Sequence, residues 1–474
     1  MDSNLEHAVC SRSVSLRTTL GGVNQEKPTT ELGERFPRTK EQMAELSAKG
    51  VAAARDLCAF IDRAPTPYHA VREVTARLGA AGFRELQERE PWSLAPGDRR
   101  YVCRSDATIV AFVVGTESPA AAGFRVIGAH TDSPNLRVKP NADVTRSGYQ
   151  QVAVEIYGGV LLSTWLDRDL SIAGRVLCDR GAGRVEARLV DLERPVARVP
   201  ALAIHLNRSV NTDGLVLNPQ KHMVPVVGLA NDDGLRKQLA AALGEDAGAI
   251  LGYDLGLYDT ARAALGGQGD AFVFAARLDN LASCHAATTA LAASVTPAPA
   301  TRVVVLYDHE ECGSRSASGA AGTVLRDTLG RIVEAHPDRQ PQAVARATAA
   351  SLLVSADMAH ALHPNYADLH EKEHAPVINR GLVIKSNSNQ SYATDGVTAA
   401  RFEALCREVG YTPQRYVVRS DMPCGSTIGP ITAAQLGIAT VDVGGPMLSM
   451  HSCREMAGTL DVHLAIETYK RALG

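Results

Sequence analysis

The sequence contains no apolar run approaching the roughly 18 to 20 residues that a membrane-crossing helix requires. Its first residues also lack a basic head followed by an apolar core, the pattern of an export signal. A cytoplasmic location without membrane attachment is therefore expected. Excess positive charge is missing too. The formal net charge is −3, so no overall basic field exists to hold a polyanion, and neither nucleic acid nor an anionic membrane surface is an expected partner. The nine cysteines are scattered singly, without CxxC pairs, and an odd number precludes complete intramolecular pairing. Free thiols in a reducing compartment are the plain reading.

Several catalytic signatures are absent. There is no GxxxxGK[ST] phosphate loop, and "GGQGDAF" does not complete a dinucleotide fingerprint. "HEECG" begins like the zinc-protease helix motif HExxH, but its fifth position is Gly313 and it follows a strand. "GSTIG" places Thr427 where a nucleophile elbow has serine. Nucleotide chemistry and serine hydrolysis are thus unsupported.

What is present is an ordinary globular composition, with 45% hydrophobic and 21% charged residues. A length of 474 residues points to two or three domains. Residues 1–48 are polar, carry prolines and lack sustained periodicity, and read as a disordered extension. Helical spacing begins at Ala52 in "AARDLCAFIDRA" and repeats in "TPYHAVREVTARLGAAGF", which has a Thr-Pro start and a glycine finish. Strand patterns follow in "TIVAFVVG" and "GFRVIGAHTDSP". Residues 139–267 change character to short alternating segments such as "QVAVEIYGG", "RVEARLVDL" and "ALAIHL", which predicts an inserted antiparallel β-rich domain. Residues 49–138 plus 268–474 then form an α/β layered domain around it.

Within that outer domain one ending recurs. Apolar segments run into His130 and Asp132, into Asp279, into Glu310 and Glu311, into Asp357, and toward His451. Ligands in open α/β sheets bind beyond the carboxyl ends of strands, so these residues are expected to converge. Taken singly, each has a commonplace reading: a core histidine, a solvated glutamate pair, an aspartate N-cap. Together they would crowd five carboxylates into one partly dry crevice, which costs several kcal/mol unless cations relieve it. Histidine and carboxylate ligands without thiolate suit zinc, with manganese or cobalt as alternatives. So few ligands serve two ions only if one is shared, and the isolated Asp279 is the expected bridge. The adjacent glutamates divide the work, with Glu311 on a metal and Glu310 facing water as general base. The His130-Thr131-Asp132 spacing lets Asp132 sit behind its histidine and fix the ring tautomer.

The blocks "GAHTDSPNLRVKP", "YGGVLLSTWLDRDLSIAGRV", "LAIHLNR", "RLDNLASCHAA", "DHEECGSRSASGA", "SADMAHALHPNY", "IKSNSNQSYATDG" and "DMPCGSTIGP…GGPMLSMHSCRE" resemble, in this order, the M18 metallopeptidases, the aspartyl aminopeptidases. The resemblance covers nearly everything from about residue 50 onward. It implies a zinc aminopeptidase-type three-layer α/β catalytic domain, two zinc ions per subunit, and a β-rich insert used in oligomerisation, with dimers building a dodecamer. It implies His130 and Asp357 on one ion, Glu311 and His451 on the other, Asp279 between them and Glu310 as base. It further implies that His205 enters a neighbouring subunit's active site. The implied substrate is a peptide with a free N-terminus, preferably beginning with Asp or Glu. Lys385, after the apolar "GLVI", is the candidate partner of that acidic side chain. The block around it carries Ser391 where the commoner form has Arg. Alternatives are a related dinuclear hydrolase acting on neutral N-terminal residues or N-acyl amino acids, and an inactive scaffold.

Overall fold

The computed structural model describes residues 39–230 and 233–474. Nine strands form the central sheet. Its middle consists of four parallel neighbours, Thr301–Tyr307, Phe124–His130, Leu352–Ala356 and Ala439–Gly444. Antiparallel pairings flank this set on both sides. Both faces of the middle are dry, which is why these strands read as continuous apolar runs. Along Thr301–Tyr307, Val304 and Leu306 face one buried cluster, while Val303, Val305 and Tyr307 face the other. Alternation of side chains along a strand makes the sheet the middle of three layers.

One outer layer holds the helices Lys40–Asp62, Pro67–Ala80, Leu278–Ala292, Gly396–Val409 and Thr459–Leu473. The opposite layer holds Val324–Ala335, Ala343–Ala349 and Ile428–Leu436. The three-layer α/β expectation is met.

A second sheet of six strands comes from chain segments between Asn135 and Asp259, with every pairing antiparallel. It has its own buried cluster, in which Leu136, Val154, Ile172 and Leu257 pack with Leu235 and Leu239 of a short helix. A third sheet, of five strands, carries Phe272–Ala275 against Glu455–Gly458.

Three local expectations need correction. Residues 1–38 of the presumed extension lie outside the described residues, but residues 40–48 are helical. Thr39 accepts from the Gln42 N–H while the Gln42 side chain accepts from the Thr39 N–H, a capping box that starts the helix twelve residues before Ala52. The segment "AIHL" is not a strand; Ile204–Leu206 is a single 3₁₀ turn. The recurring strand ending also has two sources. His130, Glu310, Glu311 and Asp357 do leave parallel strands of the central sheet, whereas Asp279 follows a strand of the five-stranded sheet and His451 lies beyond Pro446–Leu448 of that same sheet.

Gly50 lets the first helix lie against the last. A Cβ there would stand 2.9 Å from Leu460 Cα, whereas one on Gly79 would have nothing within 4 Å. Gly50→Val is therefore expected to destabilise by about 1–3 kcal/mol. Gly79→Ala, inside a helix, is expected to stabilise by about 0.4–1 kcal/mol. Urea unfolding midpoints that move in opposite directions check the pair.

Candidate metal centre

Strand register delivers the first residues. Tyr307 pairs with His130, so Asp308 to Glu311 leave the sheet beside Thr131 and Asp132. Ser355 pairs with Gly128, which brings Asp357 level with His130 two residues on. The other two arrive on turns at left-handed residues, Arg277 (φ 59°) before Asp279 and His451 itself (φ 66°). His309, before the glutamates, is left-handed as well (φ 64°). Non-glycine residues hold such conformations only where the surroundings impose them.

The donors fall into two sets that share one aspartate. His130 Nε2 stands 3.5 Å from Asp279 Oδ1 and 3.6 Å from Asp357 Oδ1. His451 Nε2 stands 3.4 Å from Asp279 Oδ2 and 3.4 Å from Glu311 Oε2. These separations are long for hydrogen bonds. They suit a cation between the donors, because two ligands each about 2.1 Å from a tetrahedral zinc stand about 3.4 Å apart. Among the described residues, the one group offering three mutually close ligand atoms, all within 4.8 Å, is His130, Asp279 and Glu311, which draws on both sets. Asp279 Oδ1 and Glu311 Oε1 are buried without any hydrogen-bond partner. Orphaned buried carboxylate oxygens are costly, and a metal would satisfy both.

Both imidazoles are turned the same way by carbonyl and carboxylate acceptors. His130 Nδ1 lies 3.1 Å from the Asp132 carbonyl oxygen and 3.4 Å from Asp132 Oδ1. His451 Nδ1 lies 3.1 Å from the Gly159 carbonyl oxygen. Acceptors at both Nδ1 atoms place the ring proton there, which leaves each Nε2 lone pair for a metal.

Asp132 does more than face a histidine. Its Oδ1 accepts from the Glu310 N–H and its Oδ2 from the Glu311 N–H, both at 3.1 Å, while the Tyr157 hydroxyl donates to Oδ2 at 2.6 Å. One carboxylate thus fixes a ring, two backbone amides and a neighbouring strand. Tyr157 comes from the six-stranded sheet and is followed by Gly158 and Gly159, where an added Cβ would lie 3.0 Å from Glu311 Cβ and 3.1 Å from His451 Nδ1, respectively. The "YGG" triplet brings that sheet's backbone into contact with the centre; residue periodicity alone gave no sign of it.

The charges are strongly perturbed. Burial, reinforced by Asp357, Asp132 and Asp279 against the pull of His130, pushes the Glu310 carboxyl up to about 8. Burial and the neighbouring Asp279 push Glu311 well above the usual carboxylate range. For His130, burial opposes the charged form, but Asp132, Asp279 and Asp357 outweigh it and raise the imidazole well above its ordinary value. Asp279, likewise buried, is held well below the usual range by His130 and His451.

A cavity of about 340 Å³ opens over this cluster, lined by Asp279, Glu310, Asp357, Lys385, Tyr392 and His451 among others. Lys385 is buried, with Nζ donating to the Met358 carbonyl at 3.1 Å, 3.5 Å from Asp357 Oδ2 and 5.1 Å from the Tyr392 ring centre. Its contact with Asp357 adds a role that its sequence position did not reveal. His205 is exposed and does not line this cavity.

Comparison with known proteins agrees with this geometry. The family profile described as "Aminopeptidase I zinc metalloprotease (M18)" matches residues 60–472. The chain belongs to the M18 family. Its curated M18 relatives include "Probable M18 family aminopeptidase 2" of Azotobacter vinelandii (strain DJ / ATCC BAA-1303), 49% identical over 410 residues, covering 85% of this chain and 94% of that protein. The same-named protein of Pseudomonas aeruginosa (strain UCBPP-PA14) is 48% identical with the same coverage. Among solved structures, the chain resembles that of the Ape4 and Nbr1 complex, with a TM-score of 0.86, 40% identity, and coverage of 90% of this chain and 86% of that one. It also resembles the S. cerevisiae mApe1 dodecamer, with a TM-score of 0.78, 31% identity, and coverage of 88% and 95%. Membership establishes this M18 chain as a metal-dependent aminopeptidase. No helix among its described residues is long and apolar enough to cross a membrane.

For this M18 peptidase the raised groups set a pH signature. Without metal, the folded protein holds protons on Glu310 and Glu311 that the unfolded chain releases above about pH 4.5, and on His130 above about pH 6.5. Stability of the metal-free form is therefore lost as pH rises from about 5.5 toward 8. Asp132 and Asp279, with depressed values, act only below about pH 4 and do not oppose this trend. Metal displaces those protons. The expected outcome is a melting temperature of the chelator-stripped protein that falls between pH 5.5 and 8, with the increase on adding zinc larger at pH 8; scanning calorimetry at both pH values checks it.

Proposed function

We propose that this chain is a dinuclear zinc aminopeptidase that removes one N-terminal residue, preferentially Asp or Glu, from peptides. The observation that carries this reading is the division of Asp279, with one carboxylate oxygen 3.5 Å from His130, which also faces Asp357, and the other 3.4 Å from His451, which also faces Glu311. When bound in the two donor sets, zinc ions supply Lewis acidity for the scissile carbonyl and lower the pKa of water at the site from 15.7 toward about 7. Glu310, whose Oε2 stands 4.0 Å from His130 Nε2, takes the proton from the attacking water and delivers it to the leaving amine. Asp132 keeps Glu310 and Glu311 in register through their backbone amides.

Lys385 is proposed to meet the acidic side chain of the substrate. Burial strengthens its charge interactions, and its ammonium faces the cavity between Asp357 and the Tyr392 ring. The contact with Asp357 supports a second role, steadying that ligand. Assaying Asp-, Glu-, Leu- and N-acyl-capped peptides in parallel separates the substrate classes, and turnover of capped substrates alone would reject an aminopeptidase acting on free amines. In Lys385→Met, a fall of at least tenfold in the ratio of acidic to Leu kcat/KM is expected, whereas an equal loss on all substrates would leave only the role toward Asp357. Glu310→Gln is expected to lower kcat by about 10²–10⁴, and unchanged activity would remove the base assignment.

His205 is proposed to complete the site of a second copy of the chain. It sits on an exposed segment with Leu202 at 62%, Leu206 at 75% and Val216 at 87% of their full exposure. Clustered exposed apolar residues of this kind mark interaction surfaces. A structurally similar chain forms a dodecamer, and this chain is proposed to assemble likewise, from dimers. Leu206→Asp is expected to dissociate the assembly in light scattering and to abolish most activity while zinc content is retained. Full activity in a dissociated form would show that one chain suffices.

A further inference from the structure

Outside the ligands, one carboxylate touches both turns that build the centre from the five-stranded sheet. Glu455 is buried, with Oε1 accepting from the His451 N–H at 2.8 Å and Oε2 from the Asp279 N–H at 3.2 Å. The ladder explains how it gets there. Glu455 pairs with Ala275, so the strand entering the Asp279 turn and the strand leaving the His451 turn run side by side. Each turn passes through a left-handed residue, Arg277 or His451, a conformation that would relax without support. Each amide would also be a buried donor without a partner.

We infer that Glu455 is the positioning residue of the metal centre, holding Asp279 and His451 in one mutual register through their backbone amides. This rests on the dinuclear reading above. A carboxyl group is suited to the task because each of its two oxygens accepts from one amide, so one group of fixed width sets the distance between them. That distance controls the 3.4 Å gap between His451 Nε2 and Asp279 Oδ2. Asp132 performs the matching service for Glu310 and Glu311. The two residues that reach the centre from the five-stranded sheet are therefore aligned by Glu455, and both glutamates by Asp132.

The test uses full-length protein stripped with chelator and titrated with zinc, alongside steady-state kinetics of the zinc-loaded enzyme. Glu455→Gln keeps shape and size but turns an NH₂ toward one of the two N–H groups. Expected are a 10–100-fold loss of zinc affinity, larger for the ion on the His451 side, and a comparable loss of kcat with KM within about threefold, typical of groups that orient ligands. Melting of the metal-free variant should stay close to that of the parent. Parental zinc affinity and kcat would overturn the inference, and so would a lower metal-free melting temperature with both of those unchanged, since that describes a purely structural residue. If Glu455→Gln does not fold, Glu455→Asp, one methylene shorter and able to reach only one amide, carries the same expectations and the same overturning results. A parent that holds a single ion rejects the dinuclear reading, while the change in that ion's affinity still decides the role of Glu455.

Discussion

Negative charge gathered where water is scarce is the constraint from which the rest of this structure follows. Asp279, Glu310, Glu311 and Asp357 line one hollow, with Asp132 and Glu455 buried directly behind them, hydrogen-bonded to the backbone amides of Glu310, Glu311, His451 and Asp279. Repulsion and desolvation disfavour such a gathering unless each carboxylate has a partner. The protein supplies two kinds. Asp132 and Glu455 accept from backbone amides and act as rigid spacers, although burial and Asp279 still push the Glu455 carboxyl up to about 8. Asp279, Glu311 and Asp357 face the imidazoles, with one oxygen each of Asp279 and Glu311 left orphaned, an arrangement that a bound metal would complete. Glu310 has neither partner in full, and in the metal-free protein burial and the neighbouring carboxylates push its carboxyl up to about 8.

The centre is also where three sheets meet. The central sheet delivers His130, the glutamates and Asp357; the five-stranded sheet delivers Asp279 and His451; the six-stranded sheet delivers Tyr157 and the Gly159 carbonyl. Displacing the six-stranded sheet would remove a donor from Asp132 and the acceptor that fixes the His451 tautomer.

The sequence made the ligand types legible because parallel strands buried on both faces leave a simple mark: an apolar run that ends abruptly in ionisable residues. His130, Glu310, Glu311 and Asp357 follow that rule, and Asp279 and His451 imitate it from a different sheet, so the expectation that these residues converge holds although the picture of two of their strands does not. Tyr157 and Glu455 left no such mark. Tyr157 reaches a carboxylate 25 residues away and Glu455 an amide 176 residues away as well as one four residues away, and neither periodicity nor composition encodes the long-range pairings. The start of the first helix was missed for the opposite reason. Its first two turns offer few apolar residues to establish a period, although the Thr39–Gln42 cap was readable locally.

Lys385 shows how the metal reading and the substrate reading constrain each other. A buried ammonium needs a counter-charge, and Asp357 Oδ2 at 3.5 Å supplies part of it. Asp357 has a second oxygen turned toward His130 at 3.6 Å, on the side proposed for a cation. A dication there competes for the charge of Asp357 and leaves the lysine less neutralised than in the metal-free protein. An acidic substrate side chain would restore the balance, while a neutral one would leave the ammonium under-paired in a low-dielectric pocket. On the proposed function, a preference for Asp or Glu would then depend on the metal being in place, and Ser391, where the resembling family commonly has Arg, offers no second positive charge to support it.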